Sequence, residues 1–380
     1  MTSTANPSKT MVCNDILNII FNYALNKFDD TEDRNNAGKP KFLSVIEKFV
    51  SSGIPVEMCL PAFPFKSSNK VHKVFGILPD KAEEIALDRL NTMCLRIGEV
   101  YQPGAKCTII SDGLIYYVYR IAIHGRTEKP YVQCLNKGFD YICFSRIQDF
   151  VNFPLPEKLD EITYVANATN FRLSMINRWG KQNINIEDEI ANNPDTKMTY
   201  LGYRRFLESD LRYIFPLGNG RSNTNYKKIY YQDQASAYFA KFSKQAFAGA
   251  VKYAFPNHLR LSIHQSTGDH KISMSLLNTK TGFTTPWHCS VALMADGEWI
   301  SAPMGDFKEN NNLEVVYEDG RPSYFKMKKH TIERRVDDTN PEINLSKISA
   351  GLSSRFMAGE NKTSQKFQQQ SSVVVSILAI

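Results

Sequence analysis

The run from Asp80 to Gly113 constrains the fold more than any other stretch of the sequence. Asp80–Val100 carries Ala82, Ala86, Leu90, Met93 and Ile97 at three- and four-residue steps, the period of a helix with one buried face. Pro79 precedes it, and Asp80 with Glu83 forms a capping-box pattern. Tyr101-Gln102-Pro103-Gly104 ends it with turn chemistry. A short apolar run, Cys107–Ile110, follows, and then Ser111-Asp112-Gly113. Helix, turn, buried strand and acidic loop in that order is the organisation of an α/β domain. Asp112 has two readings there. It is a turn former, as Ser-Asp-Gly commonly is, or a carboxylate at the carboxyl edge of a strand, facing an amine or a sugar hydroxyl.

The same alternation extends in both directions. Asn14–Phe28 and Phe42–Val50 read as helices separated by a polar loop over 29–39. Val56–Leu60 reads as a buried strand that runs into Pro61-Ala62-Phe63-Pro64-Phe65-Lys66-Ser67-Ser68-Asn69. Two prolines exclude helix in that segment and make it a stiff, extended loop. Lys66 on it is either a solvated connector residue or a cation placed to grip an anion. Phe139–Ser145 reads as a further strand with Arg146 just beyond it. Ile186–Asn192, Thr199–Phe215 and Ala235–Phe255 read as helices. The second of these carries Arg204, Arg205, Glu208, Asp210 and Arg212, mostly on a charged face of the kind usually turned to solvent. Ser290–Met294, Leu313–Tyr317 and Ser323–Lys328 alternate as strands, the last two joined by a Glu318–Pro322 hairpin turn. The segment 116–136 is rich in Tyr, Arg and His and shows no clean period. The basic loop Gly218–Lys228 lacks the spacing of a P-loop.

Chemistry-bearing residues crowd into His258–His288. Leu259, Leu261 and Ile263 alternate with Arg260 and Ser262, as in a half-buried strand that ends at His264. A second apolar run, Ile272–Leu277, begins after Lys271. Thr284-Thr285-Pro286-Trp287-His288 closes the stretch. Histidines, an arginine, a lysine, hydroxyls and a tryptophan thus fall at strand ends and loops, where α/β enzymes place their sites.

Composition excludes several classes. A length of 380 residues allows one large domain or two modest ones, with 42% hydrophobic and 22% charged residues as in an ordinary globular chain. The net charge of +7 is spread among 46 basic and 39 acidic residues, which suits an anionic small substrate and gives no basic arm for nucleic acid. The seven cysteines are odd in number and none is spaced as C-x-x-C, so they are expected to be reduced thiols in a cytoplasmic protein. No H-E-x-x-H or cysteine–histidine cluster suggests a metal. No signal peptide and no apolar run of membrane-spanning length is visible.

Taken together, PAFPFKSSN, PD-x-x-EE-x-AL-x-RL, Y-x-PGA with SDG, KGFDYICFSR, RRFLESDL, LRLSIH and TPWH occur in an order that resembles the pyoverdine/dityrosine biosynthesis family, the isocyanide synthases, in a fungal-looking version. The resemblance covers roughly 53–328. It implies an α/β fold with a Rossmann-like sheet flanked by helices, to which the sequence adds a C-terminal β-hairpin. The organisation expected is a helical segment over 1–52, a catalytic domain over 53–330 and a largely disordered extension over 331–380.

The resemblance also implies a reaction without metal or redox cofactor. The amine of an amino acid condenses with the C2 carbonyl of ribulose 5-phosphate, phosphate is lost, the sugar carbons are cleaved away, and C2 remains as the isonitrile carbon. On that reading Lys66, Arg205, Arg260 and Lys271 are candidate phosphate donors. Asp112 meets the substrate ammonium, His264 and His288 shuttle protons, and Trp287 walls the pocket. Arg96 and Arg146 serve equally well as structural ion pairs. Another branch of the family feeds formyl-tyrosine into spore-wall dityrosine, and an inactive member is the further alternative. The family usually continues after SDG with an acidic loop and a helix, whereas 114–136 here is shorter and more basic. A downstream oxygenase would have to be a separate partner.

Overall fold

The structure is a computed structural model. It describes residues 8–25, 33–63, 66–67, 69–111, 138–153, 161–180, 185–214, 244–279, 281 and 283–328. Five parallel strands form the central sheet: β1 (Val56–Pro61), β2 (Ala105–Ser111), β3 (Ile142–Arg146), β4 (Leu259–Ser262) and β5 (Ile272–Ser273), in the spatial order β3-β2-β1-β4-β5. The order reverses direction at β1, because β2 lies on one side of it and β4 on the other. That junction is the topological switch point of a Rossmann-like sheet, and the crevice beyond the carboxyl ends of β1 and β4 is where such folds bind ligands.

Three helices precede or follow β1: α1 (Lys9–Phe21), α2 (Asp33–Ser52) and α3 (Lys81–Val100). Their buried faces, with Ile16, Leu17, Ile20, Phe42, Ile46, Leu90, Met93 and Ile97, share one core with Val56, Met58, Leu60, Cys107, Ile109, Leu259, Leu261 and Ile272. The inward residues on the strands occupy every second position, as the pleat requires. The segment that carries α1 and α2 therefore completes the sheet's own core. It also covers the sheet edge, since Leu25 N donates to Ser273 O at 2.7 Å and Ser275 N to Tyr23 O at 3.0 Å. The capping box at Asp80 and Glu83 is present, with Ala82 N donating to Asp80 and Asp80 N to Glu83.

The remaining helices are α4 (Ile147–Phe150), α5 (Glu161–Trp179), α6 (Ile186–Asn192), α7 (Pro194–Ile214) and α8 (Lys244–Ala254). The sequence reading did not find α5, where the β-branched Ile162, Thr163, Val165 and Thr169 obscure the helical period. It also began α2 too late. The helix starts at Asp33, inside what read as the polar loop 29–39, and holds Pro40 within it.

The C-terminal hairpin exists and belongs to a larger unit. Strands β6 (Ser290–Leu293), β7 (Trp299–Ala302), β8 (Leu313–Glu318) and β9 (Arg321–Met327) make a four-stranded sheet in the order β7-β6-β9-β8. Asp319 and Gly320, with φ of 51° and 71°, form the β8–β9 turn; two successive positive φ values suit the twist of a tight hairpin. A short helix, α9 (Met304–Lys308), packs beneath this sheet.

Cys13, Cys59, Cys94, Cys107, Cys143 and Cys289 are free thiols. Titration of the unfolded protein without reductant should find all seven cysteines of the chain; a consistent deficit of two would contradict this. Among the described residues no helix is long and apolar enough to cross a membrane.

Candidate active site

The loop after β1 turns at Phe63, whose φ of 53° lies in the left-handed region that side chains other than glycine seldom adopt. Phe63 is buried and packs against Trp287, with ring centroids 5.0 Å apart, and against Phe144 at 6.3 Å. Ser67 N donates to Trp287 O at 2.7 Å, which ties this loop to the Pro286–His288 turn. Pro286 at the first position of that turn pre-sets its backbone. Both loops are thereby held together above the switch point.

α7 lies along the carboxyl edge of the sheet. Near its start, Thr267 N, on the β4–β5 loop, donates to Asp195 Oδ1 at 2.7 Å. Midway, a Cβ added at Gly202 would stand 3.5 Å from His264 Nδ1. Near its end, Asn69 Nδ2 donates to Ser209 O at 3.3 Å, and Ser67 Oγ and Lys73 Nζ meet Asp210 Oδ1 at 2.6 and 2.8 Å. Asp195, Thr199, Gly202 and Asp210 recur at helical spacing, so one stripe of the helix faces the crevice.

Two buried ionic groups result. In the first, Asp210 (1% exposed) accepts from Ser67 and Lys73, which are themselves buried. Burial alone would push the Asp210 carboxyl up. Lys73 and His288, with hydrogen bonds from Lys73 and Ser67, outweigh it and hold the carboxyl below its usual range. In the second, Lys66 Nζ lies 2.8 Å from Asp80 and 2.7 Å from Glu83 and also donates to Pro286 O at 3.5 Å. Burial raises the Glu83 pKa to about 7, against the pull of Lys66. For Lys66, Asp80 and Glu83 overcome the burial that would lower its pKa and raise it instead.

This geometry corrects two of the expected roles. Lys66 was expected to grip an anion, but its ammonium is spent on two carboxylates and a carbonyl in a closed setting (2% exposed). It fastens the β1 loop to the start of α3. Trp287 was expected to wall the pocket, but it is 1% exposed and forms part of the hydrophobic core behind the turn. His288, beside it, is half-buried and reaches Asp210 electrostatically. His264 is half-buried at the carboxyl end of β4, its backbone fixed by Ser262 and Ser273 hydroxyls. Arg260 lies within β4, and Lys271 immediately before β5. Arg205 is exposed on α7. Arg96 is exposed on α3, and Arg146 pairs with Asp149 at 2.8 Å. Asp112, the divergent segment 116–136 and the loop 218–228 fall outside the described residues.

Sequence reasoning passed over Lys73 and Asp210. Asp210 was read as part of a solvated charged face. The signal that could have singled it out is its place on the Asp195–Thr199–Gly202 stripe, three positions that are small or uncharged apart from the first. Gly305, in α9, supports the Lys73 loop from beneath. Its N–H donates to His72 O at 2.7 Å, Met304 N donates to Lys73 O at 3.1 Å, and a Cβ at Gly305 would fall 1.9 Å from His72 Nδ1. Gly305→Ala should therefore displace the loop and cost about 1–3 kcal/mol of stability, read by urea denaturation. An unchanged midpoint would show that the loop yields freely.

Comparisons with known proteins converge on this region. The sequence model of the pyoverdine/dityrosine biosynthesis protein family matches residues 46–316. The isocyanide synthase-NRPS hybrid crmA of Aspergillus fumigatus is 56% identical over 319 residues, 82% of this chain and 20% of that protein. The isocyanide synthase xanB of the same organism is 33% identical over 330 residues, 82% of this chain and 41% of that protein. The chain thus spans only a fifth to two fifths of these two relatives. The crystal structure of the PvcA protein from Pseudomonas aeruginosa superposes with a TM-score of 0.70 at 24% identity, covering 83% of this chain and all of that one. The switch-point crevice, both loops above it and α7 all lie inside the matched residues, and the chain belongs to the pyoverdine/dityrosine biosynthesis family.

Proposed function

We propose that the chain is an isocyanide synthase that converts the amino group of an amino acid to an isonitrile, with ribulose 5-phosphate as carbon donor. The observation that carries this reading is the 56% identity, over 319 residues and 82% of this chain, to a protein named as an isocyanide synthase hybrid. The spore-wall maturation protein of Saccharomyces cerevisiae, on the dityrosine branch, is 25% identical over 335 residues, which favours the isocyanide reading over the formyl-tyrosine one.

The crevice supplies groups that such a reaction uses. Imine formation at the C2 carbonyl releases water and needs a proton donor near neutral pH, a task for His264 and His288 at the two loops above the sheet. Asp210 faces His288 with its charge held on by Lys73, so an imidazolium at position 288 has a fixed counter-charge. Asp112 follows β2 directly and remains our candidate for the substrate ammonium. A cytoplasmic setting and a downstream oxygenase as partner complete the proposal. Purified protein incubated with ribulose 5-phosphate and a pool of amino acids should yield an isonitrile that a tetrazine captures for mass spectrometry. No adduct from any amino acid, with the protein folded, would defeat this reading and favour an inactive family member.

A further inference from the structure

α7 is a wall pinned at both ends. Near its start Asp195 accepts from Thr267 N at 2.7 Å, and near its end Asp210 meets Ser67 and Lys73 at 2.6 and 2.8 Å. Gly202 lies midway between them, half-buried. Across from it, His264 is fixed by its backbone. Its N–H donates to Ser262 Oγ at 3.1 Å, and its carbonyl accepts from the Ser262 and Ser273 hydroxyls at 3.2 and 2.9 Å. With both sides held, the side chain at position 202 sets the clearance between helix and histidine, and glycine leaves it widest.

A glycine in a helix interior costs roughly 0.5–1 kcal/mol relative to alanine. Other helix glycines have a reason within the protein. A Cβ on Gly38 would run into Gly268 O, and one on Gly249 would stand 2.9 Å from Trp179 Cβ. At Gly202 the backbone is helical, and a Cβ would stand 3.5 Å from His264 Nδ1, an ordinary van der Waals separation. Among the described residues neither backbone nor packing therefore calls for glycine there.

The notch that Gly202 leaves is about one methyl group deep, with His264 Nδ1 at its edge. Its floor is mid-helix backbone, whose N–H and C=O groups are already bonded along the helix. Such a floor offers a sugar hydroxyl no partner and suits a hydrocarbon group. With His264 moving a proton at the reacting amine, the carbons that reach its edge are those of the amino acid.

We propose that Gly202 is a specificity-determining residue, and that the notch beside His264 receives the first carbons of the substrate amino acid's side chain. This inference rests on the isocyanide synthase reading above.

The test compares the whole chain with Gly202→Ala and Gly202→Leu by ligand-free melting, by calorimetric binding of L-alanine and of larger amino acids, and by kcat/KM for isonitrile formation with each. The parent should favour a larger amino acid over L-alanine. Gly202→Ala should cut that preference about 10–200-fold, the range for one methylene in an apolar pocket, and Gly202→Leu should cut it further. The Tm of Gly202→Ala should stay level or rise, because alanine favours the helix; a glycine kept for packing would lower it. An equal loss for every amino acid would overturn the proposal, since Gly202 would then serve only the placing of His264. So would an unchanged order of preference, a fall in the Tm of Gly202→Ala, a loss read only in the KM for ribulose 5-phosphate, or a parent that favours L-alanine. A parent that makes no isonitrile, yet binds larger amino acids with a preference that Gly202→Ala erases, would remove the synthase reading and leave the notch standing. A parent that binds no amino acid would overturn both.

Discussion

Lys66→Met is expected to destabilise the fold by about 3–5 kcal/mol at neutral pH, the usual effect of removing one partner from a buried ion pair. The Asp80 and Glu83 carboxylates, 2.8 and 2.7 Å from the ammonium in the parent, would be left buried together without a cation. The loss should depend on pH with a definite sign. Glu83 already titrates at about 7 in the parent, raised by burial, and without Lys66 it rises further. A carboxyl whose folded pKa lies above its unfolded value contributes stability that is full below the unfolded value and is lost as pH rises through the folded one. The variant should therefore recover stability as pH falls from 8 toward 5. Asp210 behaves oppositely. Its depressed pKa contributes stability above its ordinary value of 3.8 that is lost as pH falls through the folded pKa. Urea denaturation from pH 8 down to below 3.8 separates the two. A Lys66→Met variant as stable as the parent, or one that weakens further on acidification to pH 5, would show that Lys66 does not fasten the loop.

Trp287 and His288 are adjacent in sequence and should fail in different ways. Trp287→Ala empties a fully buried site against Phe63 and should cost about 3–5 kcal/mol. His288→Ala removes a half-buried ring that faces Asp210. Turnover should fall by roughly 10²–10⁴-fold, the range for loss of a general acid–base, with little change in Tm. Melting curves and initial rates on both variants decide the matter. Unfolding of His288→Ala, or turnover at the parental rate, would make the whole turn a packing element.

The legible part of this fold was its period. The α3 helix, its capping box, β2 and the hairpin could be read because one buried face repeats at a fixed step and the turn residues stand where the backbone needs them. The positions of His264 and His288 at chain turns were legible for the same reason. Partnership was not. Lys66 and Lys73 look alike in sequence, and nothing local says that each meets a carboxylate contributed by a helix further along the chain. Asp210 lies 137 residues from Lys73, and only the path of α7 across the sheet edge brings them together. Trp287 misled because an aromatic residue next to a histidine suits a pocket wall and a core plug equally well, and its side chain falls on the core side of the turn.

The central claim is that this chain moves one carbon of a sugar phosphate onto an amine. Ribulose 5-phosphate labelled with ¹³C at C2, incubated with the chain and a ¹⁵N-labelled amino acid, tests it most directly. The account predicts a product whose isonitrile carbon carries the ¹³C and is coupled to ¹⁵N in the NMR spectrum. An isonitrile without the label, or a labelled product in which the carbon is not bonded to the amino nitrogen, would contradict it.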